Sequence, residues 1–147
     1  MNSTLLSNIF NTNDSTSSLP LRVIAGVIFA AHGAQKLFAW FGGYGLDGTG
    51  QWMDSIGLSP GYLMALMAGS AEFFGGLLLI VGLLTRPAAA VLAITMIVAI
   101  FTVHVSNGLF MSNNGYEFGL ALLAISVSLV IQGGGKFSFD NIISKKL

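Results

Sequence analysis

The sequence predicts an all-α membrane protein, built as a four-helix antiparallel transmembrane bundle with both termini in the cytoplasm. Only 8% of its 147 residues are charged and 54% are hydrophobic, whereas soluble domains carry about 25% charged residues. Four stretches are apolar over nearly the length of about 20 residues that a helix needs to cross a bilayer. Five of the six lysines and arginines lie in segments that four spans would place on one side of the membrane.

The four predicted spans are residues 21–41, 60–84, 87–105 and 116–132. Pro60 and Pro87 stand at the start of their spans, where a helix tolerates proline. Almost no loop separates the second span from the third, so these two should form a tight antiparallel hairpin. The spans make up a membrane domain, residues 20–135, between a polar N-terminal tail, residues 1–19, and a basic cytoplasmic C-terminal tail, residues 136–147.

Positive charge predicts the orientation of the spans. The lysines and arginines other than Lys36 are Arg22, Arg86, Lys136, Lys145 and Lys146. Short loops that carry Lys and Arg stay in the cytoplasm, so both termini and the hairpin turn should be cytoplasmic, with Arg86 acting as a topology anchor. The loop at 42–59, which holds six glycines, and the turn at 107–115 should then lie outside.

Each predicted span carries an ionisable residue on a stripe of helical spacing. The stripes are Ala25, Phe29, His32 and Lys36 in the first span, Ala65, Gly69, Glu72 and Gly76 in the second, Ala93, Ile97, Ile100 and His104 in the third, and Glu117, Ala121, Ala124 and Ser128 in the fourth. A charge at the bilayer centre costs about 2.5–3.5 kcal/mol on insertion scales, so we expect all four stripes to face the bundle interior. Lys36 with Glu72 is the first candidate ion pair, and His104 with Glu117 is the second.

The candidate site that follows is an outward-opening polar cavity lined by His32, Lys36, Glu72, His104 and Glu117. Ionisable side chains within membrane spans are functional candidates by default. The alternative is a structural role, since an ion pair between helices can fix their order and register without binding anything. The spacing leaves both interpretations of the Lys36–Glu72 pair open.

Composition excludes several other functions. The chain has no cysteine, so it can form neither a disulfide nor a thiolate metal site. No metal site is predicted, because the histidines and glutamates lack a paired helical metal-binding spacing and the Lys36 ammonium would repel a cation. A formal net charge of zero gives no electrostatic basis for binding nucleic acid. The lipid bilayer is the partner that the composition requires.

Five segments of the chain resemble the DoxX family of small bacterial membrane proteins. They are HGAQKLFAWFGG, AEFFGGLLLIVGLLTRPAA, FTVHVSNGLF, GYEFGLALL and GGGKFSFD, in the family's order and spacing from residue 21 to residue 140. The resemblance implies a four-helix inner-membrane protein and carries over the polar set His32, Lys36, Glu72, Arg86, His104 and Glu117. It departs at Lys136, where the family often has arginine, and at Gly134, where proline or alanine is common. It assigns no catalytic role to these residues.

The family is named for a subunit of an archaeal thiosulfate:quinone oxidoreductase, so the resemblance implies a redox-associated membrane subunit. In that case the cavity would bind a quinone or another small molecule, and a separate oxidoreductase would be the partner. Two alternatives stay open. One is transport of a small solute or proton, for which four spans would need to assemble as a homo-oligomer, and the other is a non-catalytic scaffold for an oxidoreductase. The predicted location is the bacterial inner membrane.

Overall fold

The computed structural model describes residues 9–146, and the regular structure of this part of the chain is helical, without a strand. From residue 18 onward the α-helices are α1 (Ser18–Phe38), α2 (Gly45–Ser55), α3 (Gly61–Val81), α4 (Thr85–Ala99), α5 (Glu117–Gln132) and α6 (Phe139–Ser144). A π-helical turn (Ile100–His104) and a 3-10 turn (Val105–Asn107) extend α4. The predicted all-α class is therefore confirmed.

Three helices are long and apolar enough to cross a membrane. They are α1, α3 and the extended α4, with 21, 21 and 23 residues. Helix α5 is also apolar but has only 16 residues, which gives it a length of about 24 Å at 1.5 Å per residue. Length and composition thus confirm three of the four predicted spans, and the fourth stays a prediction.

The predicted tight hairpin is the connection between α3 and α4. Helix α3 ends at Val81 because Gly82 takes a left-handed backbone conformation (φ 70°), which glycine adopts without strain. The amide of Leu83 then donates to the Leu78 carbonyl over 3.0 Å. Helix α4 begins at Thr85, so the chain reverses its direction within a connection of a few residues.

The glycine-rich segment predicted as an outer loop contains helix α2. Its glycines disfavour a helix, but they let it pack closely on the start of α3, since a Cβ atom on Gly50 would lie 2.9 Å from the Tyr62 Cα atom. Asp54 accepts hydrogen bonds from the Ser59 hydroxyl (2.7 Å) and the Gly61 amide (2.8 Å). These hydrogen bonds hold the pKa of the Asp54 carboxyl below its ordinary value, so the group stays ionised while it binds the first amide of α3.

Helices α1 and α3 bring their backbones into contact at two pairs of glycines. Gly26 lies against Gly76, and Gly33 lies against Gly69, so the two helices run antiparallel. A Cβ atom on Gly26 would lie 2.7 Å from the Gly76 carbonyl oxygen, and one on Gly33 would lie 2.7 Å from the Gly69 carbonyl oxygen. Small residues permit this approach between membrane helices. The stripe predicted for α3 is buried as expected, at Ala65, Gly69, Glu72 and Gly76.

The apolar core lies among α1, α3, α4 and α5. Its buried residues are Ala25, Phe29, Leu79, Ala88, Ala89, Leu92, Met96, Leu122 and Leu129. Helix α1 packs mainly on α3, and α5 packs mainly on α4, while α1 and α5 contact each other far less. The seam between α1 and α5 is consequently the smallest of these three helix contacts.

The prediction of which face of α5 points inward is wrong. Ala121 and Ala124 are exposed, and the buried residues are Leu122, Ser126 and Leu129. The outer face of a membrane protein is as apolar as its core, so hydrophobicity does not distinguish the two faces. The larger leucine side chains fill the core here, and the alanines lie outside it.

The stripe predicted on α4 is correct only in part. Ala93 and Ile100 are buried, but Ile97 is 43% exposed, and Met96 takes its place in the core. The π-helical turn at Ile100–His104 adds a residue to the helical turn, so the residues after it leave the regular 3.6-residue spacing on which the prediction rests.

Both ends of the described chain lie at the same end of the packed helices, which we name the terminus end (residues 11–22, 79–86 and 132–146). Arg22 is buried there. Its guanidinium donates to the carbonyls of Leu79 (3.2 Å), Ile80, Gly134 (3.1 Å) and Phe137. The first two carbonyls belong to the last turn of α3, where a helix leaves its acceptors unpaired. The cation thereby exchanges its water shell for four backbone oxygens.

Asp140 attaches the C-terminal segment to the hairpin. Its carboxylate accepts hydrogen bonds from the amides of Leu84 (2.7 Å) and Thr85 (2.8 Å), which are among the unpaired donors at the start of α4. Its own amide donates to the Gly82 carbonyl (2.9 Å). A negative charge is also favourable at the N-terminal end of the helix dipole. The segment predicted as a basic tail therefore carries a short helix that caps α4.

The two segments predicted as tails also bind each other. The amide of Lys136 donates to the Ser15 carbonyl over 3.0 Å, and further hydrogen bonds join residues 11–17 to residues 132–136. Both ends of the described chain therefore lie at the terminus end. The first eight residues of the predicted N-terminal tail and Leu147 lie outside the described residues.

Adding a methyl group at the α1–α3 contact should destabilise the protein. In Gly33→Ala the new Cβ atom would lie 2.7 Å from the Gly69 carbonyl oxygen, and we expect a loss of about 1–3 kcal/mol, the usual cost of overpacking. Thermal unfolding in a mild detergent measures this loss. Gly119→Ala is the control, because its Cβ atom would meet only the Ile100 side chain, at 3.1 Å. An equal loss in both variants would contradict the assigned contact.

Removing the Asp140 carboxylate should release the start of α4. Asp140→Ala leaves the amides of Leu84 and Thr85 without their acceptor, so we expect a loss of about 1–3 kcal/mol and faster hydrogen exchange at these two amides. Hydrogen–deuterium exchange with mass spectrometry locates the effect. Asp47→Ala is the matched control, because Asp47 is exposed on α2. Unchanged exchange at the start of α4 would show that Asp140 does not cap it.

Candidate functional site

The predicted ion pair between Lys36 and Glu72 is present. The Lys36 ammonium donates to Glu72 Oε2 over 2.6 Å, and the two side chains are 23% and 5% exposed. Lys36 lies in the last turn of α1, and Glu72 lies in the middle of α3. The pair therefore joins the same two helices that meet at the glycine contacts.

Gly69 leaves the space in which Lys36 reaches its partner. This glycine precedes Glu72 by one helical turn on the same face of α3. A Cβ atom on Gly69 would lie 3.1 Å from the Lys36 Cβ atom and 2.9 Å from a methyl group of Leu37. Because no side chain is present there, the stem of Lys36 can pass along α3 to the carboxylate.

His32 lies one turn before Lys36 on the same face of α1, but it is exposed rather than buried. Its ring centroid lies 6.3 Å from that of Phe118, at the start of α5. His32 therefore lies at the small seam between α1 and α5, one helical turn from Lys36. The inward stripe predicted for α1 holds at Ala25 and Phe29, which are buried, and fails at His32.

His104 and Glu117 do not form the second predicted pair. The His104 ring nitrogen Nδ1 lies 2.9 Å from the Asn114 carbonyl oxygen, and Glu117 Oε1 accepts a hydrogen bond from the Met111 amide over 2.6 Å. Each side chain thus binds the backbone of the turn at 107–115, where nearby amides and carbonyls need partners. Their membership in one cavity with Lys36 and Glu72 stays a prediction.

Arg86 lies at the terminus end, away from the ion pair. Its Nε atom donates to the Asn11 carbonyl over 2.8 Å. This placement agrees with its exclusion from the candidate site, and its role as a topology anchor stays a prediction. Among residues 9–146, no three histidine, aspartate or glutamate side chains are grouped closely enough to hold a metal ion.

The buried charged residues whose burial the sequence analysis misses are Arg22 and Asp140. Arg22 is counted there only as a cytoplasmic charge, although its position just inside an apolar run is the signal of a buried cation. Asp140 ends the GGGKFSFD segment, whose other residues draw attention only through the family resemblance. Both residues stabilise the terminus end, and neither contacts the Lys36–Glu72 pair.

These features define a class, an all-helical membrane protein in which an ion pair joins two apolar helices of membrane-spanning length. The model of the DoxX family matches residues 17–105, a range that contains α1 to α4 with His32, Lys36 and Glu72. The chain belongs to the DoxX family. The resemblance seen in the sequence is thereby confirmed.

Relatives from three bacteria match over most of their length. The chain is 37% identical over 135 residues to the Bacillus subtilis protein named "Putative oxidoreductase CatD", with 92% of each chain covered. It is 35% identical over 129 residues to an uncharacterized protein of Haemophilus influenzae, covering 86% of this chain and 90% of the relative. It is 31% identical over 134 residues to the inner membrane protein YqjF of Escherichia coli, covering 87% and 92%. No solved structure matches the chain.

The two charges of the Lys36–Glu72 pair should be strongly coupled. Lys36→Met and Glu72→Gln each leave a charge without its counter-ion between the helices, so each should lower stability by about 1–3 kcal/mol. The double variant should lose less than the sum of the two, as measured by thermal unfolding in a mild detergent.

The control cycle uses Lys145 and Asp14, a pair 3.8 Å apart with side chains 64% and 76% exposed. Surface pairs of this kind contribute little, so this cycle should give a coupling near zero. Additive losses at Lys36 and Glu72 would contradict a stabilising ion pair.

Proposed function

We propose that this chain is a multi-pass protein of the bacterial inner membrane that serves as the membrane component of a redox system. In this proposal Lys36, Glu72 and His32 form the site at which a quinone-like or other small molecule binds. The observation that carries the proposal is the Lys36–Glu72 ion pair with an exposed imidazole one turn away. The names of two relatives, an oxidoreductase and an inner membrane protein, agree with it.

The three side chains have the chemistry that a quinone carbonyl requires. An ammonium has three donors, and Glu72 uses one of those on Lys36. The others, together with the ring of His32, can donate to a carbonyl oxygen that gains negative charge on reduction. Glu72 can relay protons to the reduced oxygen, because a carboxylate can accept a proton and release it again. The electrons would come from an oxidoreductase partner.

The seam between α1 and α5 is the route by which an apolar molecule would reach this site. His32 is exposed on this seam, and Phe118 lies opposite at a centroid distance of 6.3 Å. A ligand that is soluble in lipid can enter between two helices that contact each other little without crossing water. The aromatic ring and the imidazole would then contact its ring system from two sides.

The proposed topology has four spans with both termini in the cytoplasm. The terminus end carries Arg86, Lys136, Lys145 and Lys146, which the positive-inside rule assigns to the cytoplasm. Helix α5 would be the fourth span, and its length of about 24 Å is short for a hydrocarbon core of about 30 Å. Local thinning of the bilayer at α5 accommodates such a difference at modest cost.

A quinone titration tests the proposed site. The protein is reconstituted in lipid nanodiscs, and a short-chain ubiquinone is added while the thermal midpoint is measured. A ligand at 100 times its dissociation constant should stabilise the protein by about 2.7 kcal/mol. His32→Ala should remove this stabilisation and keep the fold, because the ring is exposed.

Lys145→Ala is the control, because this lysine is exposed at the terminus end, and it should respond to the quinone as the unaltered protein does. An unaltered protein that does not respond, or an equal loss in both variants, would contradict the proposed site. Proton or solute flux in proteoliposomes that disappears in Glu72→Gln would favour transport instead.

A further inference from the structure

A shallow groove of about 240 Å³ lies at the terminus end, between the end of α3 and helix α6. It is lined by Val81, Lys136, Phe137, Ser138, Phe139 and Ile142. None of these residues belongs to the Lys36–Glu72 site, and none caps a helix with a charged side chain. The groove is therefore a separate feature of the molecule.

Hydrogen bonds fix the backbone of the groove. The Lys136 amide donates to the Ser15 carbonyl (3.0 Å), and the Lys136 carbonyl accepts from the Asn141 side-chain amide (2.7 Å). The Ser138 hydroxyl donates to the Gly135 carbonyl (2.6 Å) and accepts from the Asn141 amide (3.1 Å). The groove is thus formed before any ligand arrives, which lowers the entropic cost of binding.

The walls of the groove continue the outer apolar face of α3. Phe74, Leu77 and Val81 follow one another at spacings of three and four residues and are 56%, 42% and 43% exposed. Phe137 and Phe139 prolong this strip beyond the helix and are 62% and 53% exposed. An acyl chain that lies along α3 in the membrane would therefore lead directly into the groove.

Lys136 ends this apolar strip with a positive charge. Its ammonium lies 5.9 Å from the centre of the Phe137 ring, and the ion pairs within residues 9–146 do not include it. Asp140 is the nearest acid along the chain, and both of its oxygens accept hydrogen bonds from the start of α4. Asp14 lies near the same segment, 3.5 Å from the Asn141 side-chain amide, but its ion-pair partner is Lys145. The Lys136 ammonium is thus left for an anion at the membrane surface.

We propose that the groove binds one anionic phospholipid, with an acyl chain on the strip from Phe74 to Val81 and the phosphate at Lys136. Basic pockets at the cytoplasmic ends of membrane helices recognise lipid headgroups in this way, and phenylalanine rings beside a lysine suit the boundary between headgroups and acyl chains. The choice of the cytoplasmic leaflet rests on the proposed topology. The lipid site itself does not depend on the proposed redox function.

Native mass spectrometry of the full chain tests this site. The protein is released from nanodiscs that contain equal amounts of phosphatidylglycerol and phosphatidylcholine with the same acyl chains. We expect the unaltered protein to retain one phosphatidylglycerol per chain, several-fold more often than phosphatidylcholine. Lys136→Ala should abolish this preference, and Lys145→Ala, an exposed lysine outside the groove, should preserve it.

Further arms separate the lipid from other anions and other occupants. Phe139→Ser should weaken retention of both lipids, because it shortens the apolar wall, while millimolar inorganic phosphate should not displace the bound lipid. Lys136→Gln replaces Lys136→Ala if the latter does not fold. Equal retention of both lipids, an equal effect of the two lysine variants, or a protein dimer that forms in place of the lipid adduct would overturn the proposal.

Discussion

Two helices can bring their backbones together only where neither places a side chain between them, and α1 and α3 meet this condition at two positions. Gly26 faces Gly76 and Gly33 faces Gly69, seven residues apart on each helix. This spacing fixes both the register and the separation of the pair. Lys36 lies three residues beyond Gly33 and Glu72 three residues beyond Gly69, so in this antiparallel pair they lie on opposite sides of the glycine contact, about 9 Å apart along the axis. The stem of Lys36 passes the open position at Gly69 and spans this offset, so the two charges meet at 2.6 Å. The candidate site therefore depends on the glycine contact.

The protein compensates the lost hydration of two cations, the buried Arg22 and the partly buried Lys36, by different means. Arg22 binds only neutral carbonyl oxygens and ties three segments of the chain together. Its guanidinium suits this task, because its five donors point in fixed directions. Lys36 binds a single carboxylate and keeps part of its surface exposed. The first arrangement is saturated and closed, whereas the second retains donors and lies beside the exposed His32. This contrast separates a structural cation from a candidate for ligand binding.

The Lys36–Glu72 pair and the buried α3 stripe can be predicted from the sequence, because a charge within an apolar run must face a partner and glycine marks a close contact. The buried face of α5 cannot be predicted in this way, since lipid and core are equally apolar and Ala121 and Leu122 are both compatible with either. The pairing of His104 and Glu117 fails for another reason. A π-helical turn that ends at His104 shifts the helical register there, and the composition of that stretch does not predict such a turn. Helix α2 forms despite its glycines because tertiary contact with α3 outweighs local propensity.

The contacts of Arg22 have a consequence for the order in which the protein can be completed. Two of its four acceptors are carbonyls of Gly134 and Phe137, more than 110 residues later in the chain. Asp140, which caps α4, is made later still. During synthesis the ribosome therefore delivers α1, α3 and α4 before the groups that seal their shared end exist. The terminus end can therefore close through these contacts only after residues 134–140 have been made, and a chain that stops before residue 134 would lack two of the four Arg22 acceptors and the Asp140 cap of α4.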